Sequence, residues 1–362
     1  MGGLTFDDAA LDDPAALAAV DPALRHLAEA GARVRREADS MAEAATTLGE
    51  PGGVVERPRA MVVAGADSRL LRAVLEPWCP VPFVAWPGPG LPGWAGALDT
   101  VVVLAPASGD AAATSAVLEA VRRGCTLVLA CPVHASLAEP AASRSTTLLP
   151  TTSTDTLAIA VGVLQALHRV GLGPEVDAEQ VASALDEVAL TCSPFADIAD
   201  NPGKELALVL ADTVPLVWGG SVLAARAARR IAEALRRASG RTALAADADH
   251  LLPVLAEAGR HDLFDDPFAD PLDGEAPAAA GWPAQRPALV LLDDASDGPV
   301  VREQRGRLVA AAQARDVRVH RLAGKQGSPI ARYGALLATG SYAAAYLAVG
   351  LGTTARLVGE PG

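Results

Sequence analysis

The sequence predicts an α/β chain made of two parallel-sheet halves, each covered by helices on both faces. Short, continuous apolar runs alternate with segments of helical period. The alternation occurs twice along the chain, and strands buried on both faces of a parallel sheet read as such unbroken runs. The composition agrees: 362 residues, 51% hydrophobic but only 4% aromatic, an alanine-rich balance that favours helices. The length exceeds a usual single core, which points to two domains.

Apolar positions at helical spacing (Leu17, Val20, Leu24, Leu27, Val34, Met41) give a helical lead-in over 14–48, stopped by Gly49-Glu-Pro-Gly-Gly53. Ala60–Ala64 is the first strand, followed by the turn Gly65-Ala-Asp-Ser68 and an amphipathic helix over Arg69–Glu76. Val81–Trp86, Thr100–Leu104 and Leu127–Ala130 are the next strands, with a helix between the last two ending near Gly124. Thr154–Val170 and Ala178–Ala189 are helical, and Asn201-Pro-Gly-Lys204 opens another helix. The second series reads Val214–Trp218 strand, Ser221–Ala238 helix, Thr242–Ala245 strand, Pro287–Leu292 strand, Val300–Ala314 helix, Val317–His320 strand and a closing helix over Ser328–Val349. Asp262–Gln285, rich in Asp, Pro, Ala and Gly without a sustained period, reads as a loop or lid. The implied division is a lead-in over 1–50, a first α/β domain over 51–150, a helical linker over 151–200 and a second α/β domain over 201–362.

A net charge of −13 argues against a nucleic-acid surface, which needs a clustered excess of cations to neutralise phosphates. Basic residues do gather at Arg226, Arg229, Arg230, Arg236, Arg237 and Arg241, three of them at i, i+3, i+4 spacing. Such a face is either solvated or directed at an anion. Cys79, Cys125, Cys131 and Cys192 form no CxxC pair and no metal-ligand spacing, so neither zinc, nor any other metal, nor a disulfide framework is indicated. The acidic start MGGLTFDDAALDD lacks the pattern of a secretory signal, and no apolar run is long enough to span a membrane. A cytoplasmic location without membrane contact is expected. No GxGxxG follows a strand and no GxxxxGK[ST] occurs, so neither dinucleotide nor nucleoside triphosphate has its usual loop, and no cofactor is expected.

In open parallel sheets, ligands sit outside the carboxyl ends of strands, where helix N-termini offer unpaired N–H groups. Two turns lie at such places: Gly65, Asp67 and Ser68 after the first strand, and Ser108, Gly109 and Asp110 after the third, with Thr114 one helical turn on. Small residues let an anion approach the backbone, and the Ser and Thr hydroxyls add donors. The same residues also suit helix capping; Asp67 in particular either accepts from a sugar hydroxyl or caps its helix.

The segment "APASGDAAAT" stands where sugar isomerase (SIS) domains carry S-x-S-G-x-T-x-E-T, and in that order of elements the chain resembles the bifunctional phosphoglucose/phosphomannose isomerase family of tandem SIS domains. "NPGKELA" at 201–207 is similar to that family's N-P-x-K-x-L-A, "VPLVWGG" at 214–220 to the strand opening its second SIS domain, and "GSYAAAYLAVGLG" at 340–352 to its closing helix. The resemblance implies two three-layer α/β/α SIS subdomains, a phosphorylated sugar as ligand, a homodimer, and interconversion of fructose 6-phosphate with glucose 6-phosphate or mannose 6-phosphate. The phosphate loop keeps Ser108, Gly109 and Thr114, while Pro106, Ala111 and Ala113 replace the family's Ser, Thr and Glu.

Aldose–ketose enolisation needs a base to carry a proton between C1 and C2 and an acid to open the ring. By the resemblance, the ring-opening His corresponds to His250 in "DADHLLP", whereas the base position falls at about Arg236 without its flanking asparagines. Glu233, one turn earlier, is the substitute base, with Asp247 behind it; Arg236 itself suits phosphate better than proton abstraction. The family's closing lysine is missing from "TTARLVGEPG", leaving Lys325 or Arg332 as stand-ins. Three readings stay open: an isomerase with a rearranged acid/base set, a catalytically degenerate SIS protein that binds a phosphorylated sugar as sensor or partner of another enzyme, and an unrelated α/β enzyme.

Overall fold

The computed structural model describes residues 5–48, 57–107, 110–258, 286–324 and 327–358. Its described residues fall into two units, Arg25–Ser193 with Lys325–Ala338, and Met1–Leu24 with Pro194–Gly324 and Thr339–Gly362.

The helical lead-in consists of three helices, α1 (Pro14–Ala18), α2 (Asp21–Ala28) and α3 (Ala30–Ala45). Pro22 has no amide to donate to the Ala18 carbonyl, so α1 does not run on into α2.

The first sheet contains β1 (Met61–Ala64), β2 (Phe83–Trp86), β3 (Thr100–Leu104), β4 (Thr126–Cys131) and β5 (Thr146–Pro150), all parallel, in spatial order β2-β1-β3-β4-β5. Val101, Val102 and Val103 of β3 are wholly buried, as a strand covered on both faces must be. The helices after these strands are α4 (Ser68–Leu75), α5 (Ala111–Arg122), α6 (Ala138–Ala141), α7 (Thr156–Arg169) and α8 (Ala178–Thr191). Helix α7 is apolar all round and buried from Leu157 to Leu164, the pattern of a helix enclosed in a core. Helix α3 packs on α7, α8 and β5, and there it buries two charges: Glu37 accepts from the Thr152 amide at 2.9 Å and hydroxyl at 2.8 Å, and Arg33 pairs with Asp155.

After α9 (Pro202–Leu210), the second sheet contains β6 (Thr213–Gly219), β7 (Leu244–Ala245), β8 (Arg286–Asp293) and β9 (Arg318–Ala323), again parallel, in order β7-β6-β8-β9. Its helices are α10 (Val222–Ser239), α11 (Ala248–Ala256), α12 (Pro299–Ala314), α13 (Pro329–Gly350) and α14 (Ala355–Val358). Leu216, Trp218, Leu289 and Leu291 pack against Leu251, Leu255 and Leu308 on one side of this sheet. Tyr342 and Tyr346 of α13 are 2% and 0% exposed, so this alanine-rich stretch belongs to the core of its own chain. Both sheets are thus the parallel, helix-covered halves that the apolar runs predict. Among the described residues no helix is long and apolar enough to cross a membrane.

Candidate functional site

In the first sheet the chain leaves β1 toward β2 and leaves β3 toward β4. The strand order therefore reverses between β1 and β3, and the crevice outside their carboxyl ends is where ligands collect in such sheets. Gly65, at φ +93°, turns the chain out of β1 in a conformation that favours glycine. A Cβ there would stand 3.7 Å from that of Ala113, so the β1 turn lies beside the first turn of α5. Gly65, Asp67 and Ser68 are thereby brought next to the helix that carries Asp110 and Thr114. Ser108, Gly109, Lys325 and the 262–285 loop lie outside the described residues.

Asp67 stands at the N-cap position of α4 but makes no side-chain capping bond. It accepts instead from the Thr156 hydroxyl at 3.4 Å, which ties it to the start of α7. Ser68 is 1% exposed, and its Oγ has no hydrogen-bond partner among the described residues. A buried hydroxyl in that state loses free energy until something bonds it. Asp110 is engaged differently: its Oδ1 accepts from the Ala112 and Ala113 amides at 2.9 and 3.0 Å, the geometry of an N-cap. Asp155 caps α7 in the same way through Leu157 and Ala158 at 3.0 and 3.2 Å. Of the helices that follow β1, β3, β4 and β5, α5 and α7 have first-turn amides bonded by their own carboxylates, whereas α4 and the four-residue α6 have no side-chain cap.

Asp67, Asp110 and Asp155 stand at this edge together with Arg33, which pairs with Asp155, and the exposed Arg69 in the first turn of α4. Arg33 also donates to the His26 carbonyl at 2.7 Å. Burial, and then the Arg33 charge, hold the His26 imidazole below its ordinary pKa. Cys131, at the end of β4, is buried and its thiol is pushed up to about 11, which makes it a poor nucleophile.

In the second unit the reversal lies between β6 and β8. Gly219 is required there because a Cβ would meet the Ala224 backbone at 2.2 Å. Ser221 caps α10 by accepting from the Ala224 amide at 3.0 Å and donates to Asp294 Oδ2; Asp294 Oδ1 accepts from the Ser296 amide at 3.1 Å. Nothing in the sequence marks this pair, since its members lie 73 residues apart and only the strand order joins them.

His250 is exposed in the first turn of α11, beyond the carboxyl end of β7. Glu233 forms a 3.0 Å ion pair with Arg230 on the outer face of α10, about 18 Å along the helix from Ser221 at the usual rise per residue. Arg236 lies in the last turn of α10 and donates to the Ala243 carbonyl at 2.7 Å. The acid and base candidates therefore lie on different helices, His250 on α11 and Glu233 on α10. Arg332 is in the first turn of α13, its Nε without a hydrogen-bond partner among the described residues. No group of three or more His, Cys, Asp or Glu among the described residues is placed to hold a metal ion.

Two parallel sheets with helices on both faces, each with its strand order reversing at one point, give the chain an α/β fold of the SIS type. Residues 199–358 match the model of the bacterial phospho-glucose isomerase C-terminal SIS domain family. Tagatose-6-phosphate ketose/aldose isomerase from Escherichia coli superposes with a TM-score of 0.62 at 12% identity, covering 92% of each chain. The C-terminal domain of glucosamine-fructose-6-phosphate aminotransferase from Francisella tularensis gives 0.54 at 11% identity, covering 88% of this chain and 95% of the other. No curated protein matches by sequence. The C-terminal part of the chain, residues 199–358, is thus similar to the C-terminal SIS domain of bacterial phospho-glucose isomerases, and the whole chain shares its fold with phosphosugar isomerase structures.

Proposed function

We propose that the chain binds a phosphorylated sugar at the carboxyl edge of the five-stranded sheet, and that binding rather than aldose–ketose turnover is its retained activity. The observation that carries this reading is the Ser68 hydroxyl, buried without a partner among the described residues at the start of α4, a terminus that has no side-chain cap. Asp110 and Asp155 occupy the N-termini of α5 and α7. The Ser68 and Leu70 amides already donate to Gly65 O and Asp67 O, so the donors that α4 offers a phosphate oxygen are the Arg69 amide and the Ser68 hydroxyl. Asp67 and Thr156, a carboxylate and a hydroxyl at the same crevice, suit sugar hydroxyls. Two of the structural neighbours are named for reactions on hexose 6-phosphates, which supports the same ligand class.

Turnover would need a base and an acid reaching adjacent carbons of one substrate. His250 and Glu233 lie on separate helices, α11 and α10, and Glu233 is engaged by Arg230. The test pairs two measurements on the full chain with fructose 6-phosphate, glucose 6-phosphate, mannose 6-phosphate and unphosphorylated fructose. Thermal shift is expected to rise with the phosphorylated sugars alone, because a ligand of the native state stabilises it by mass action, and Ser68→Ala is expected to weaken the response. Coupled assays are expected to show no interconversion. Turnover abolished by His250→Ala would establish the isomerase instead, and absence of any sugar-phosphate response would exclude both readings.

A further inference from the structure

With all strands of the first sheet parallel, their amino ends gather at the edge opposite the crevice described above. A cavity of about 390 Å³ opens there, where the chain enters β1, β3 and β4 and where α7 ends. Pockets that hold small molecules begin at about 300 Å³. Val128, Leu167 and Leu172 line it and are 2%, 0% and 5% exposed, whereas Leu98, at its mouth, is 69% exposed. Water in contact with such a lining gains little from hydrogen bonding and is readily displaced by an apolar group.

The polar groups of the cavity are few and unengaged. Thr100 and Thr126 open β3 and β4 and are partners in register, so their hydroxyls stand side by side; Val128, two residues on, shares their face. Neither hydroxyl has a hydrogen-bond partner among the described residues. Of the two cations at the mouth, Arg59 is spent: it donates to Asp99 Oδ1 at 3.0 Å and to Trp94 O at 2.8 Å, and Asp99 is wholly buried. Arg57 is exposed and has no ion pair or hydrogen bond among the described residues. One uncompensated guanidinium beside two hydroxyl donors matches one anionic acceptor group, and the guanidinium fork fits a carboxylate.

We propose that this cavity is a second ligand site and takes a small monocarboxylate with a hydrocarbon body. Arg57 and the paired threonine hydroxyls hold the carboxylate, and the body lies against Leu98, Val128, Leu167 and Leu172. The site is independent of the sugar-phosphate reading: β3 has five residues, which at about 3.3 Å each puts the two ends of that strand about 16 Å apart.

Calorimetric titration of the full chain with octanoate, below micelle-forming concentrations, tests this. Saturable binding of one octanoate per chain is expected. Arg57→Gln is expected to raise the Kd about tenfold by removing the charged pair, with the Tm of the free protein unchanged because the side chain is exposed and unpartnered. Thr126→Trp fills the mouth from an exposed strand position that suits an aromatic, and is expected to abolish binding. Octan-1-ol, the same body without the charge, is expected to bind more weakly and to be indifferent to Arg57→Gln. Fructose 6-phosphate is expected not to displace octanoate. Absence of saturable octanoate binding overturns the proposal. So does an octanoate Kd that either substitution leaves unchanged, octan-1-ol binding as tightly as octanoate, or displacement by fructose 6-phosphate.

Discussion

Arg33 Nε donates to Asp155 Oδ2 at 2.9 Å, with the two side chains 7% and 18% exposed. The other oxygen of the same carboxylate caps α7, so one side chain closes a helix terminus and neutralises a buried cation. Asp155→Ala removes both functions. A lost cap costs about 1 kcal/mol, and a buried charge stripped of its partner about 3–5 kcal/mol. Urea unfolding is expected to show a loss of about 3 kcal/mol or more for Asp155→Ala. Asp155→Asn, which keeps a capping oxygen, is expected to lose less, and adding Arg33→Met to it to recover part of the deficit. A loss below about 1 kcal/mol for the alanine variant would mean that water already compensates the guanidinium.

Asp110 places a negative charge at the crevice proposed to receive a phosphate. Asp110→Asn keeps an oxygen for the Ala112 and Ala113 amides while removing that charge, so stability should change little. Affinity for fructose 6-phosphate, measured by calorimetry, is expected to rise about three- to tenfold as the repulsion disappears. Affinity for unphosphorylated fructose should not move. An unchanged Kd for the phosphate would place the anion away from α5.

These two carboxylates also mark the reach of the sequence. The strands β1, β3, β4, β6 and β8 are legible because burial on both faces leaves unbroken apolar runs, and the cap at Asp110 is legible because a small residue turn precedes a helical period. Strand β5 escapes: its Thr146-Thr-Leu-Leu-Pro150 is mostly half-buried at a sheet edge, with no continuous run to betray it. The strand expected over Thr242–Ala245 shrinks to Leu244–Ala245 for the related reason that an edge strand need only pair on one side. Arg33, Glu37 and the Ser221–Asp294 pair are out of reach altogether. Each is a polar residue whose meaning depends on a partner far along the chain, and local pattern holds no trace of that partner.

Lys204 joins the N-terminal segment to the loop before α9, donating to Asp12 Oδ1 at 2.8 Å and to Pro194 O and Ala196 O at 3.1 and 3.0 Å. Replacing it with Met keeps much of the apolar stem but deprives Pro194 O and Ala196 O of their donor, at about 1–3 kcal/mol for each group left unsatisfied. The expected result is a drop in unfolding free energy of about 2 kcal/mol or more, with faster proteolytic cleavage in the first 24 residues. Asp12→Asn should do far less, since the Asp12 side chain is 60% exposed and water replaces the lost charge. Equal effects from the two substitutions would argue against the loop carbonyls as the main partners of the ammonium.

His320 of β9 supplies a pH signature. Burial lowers its pKa below the ordinary 6.5, and Glu205, at 3.9 Å, opposes that only in part. A histidine whose folded pKa is depressed is held neutral by the fold, so the unfolded chain takes up the proton first. Its contribution is therefore fully present above about pH 6.5 and is lost as the pH falls from there toward the folded value. His26, shifted in the same direction, adds to the trend. Unfolding free energy measured in urea at pH 8 and pH 5.5 is expected to fall on acidification, and His320→Gln to flatten the slope while leaving the His26 share. A slope that His320→Gln leaves untouched would mean the imidazole is already solvated in the folded chain, since a ring in water has the same pKa in both states and contributes nothing to the difference.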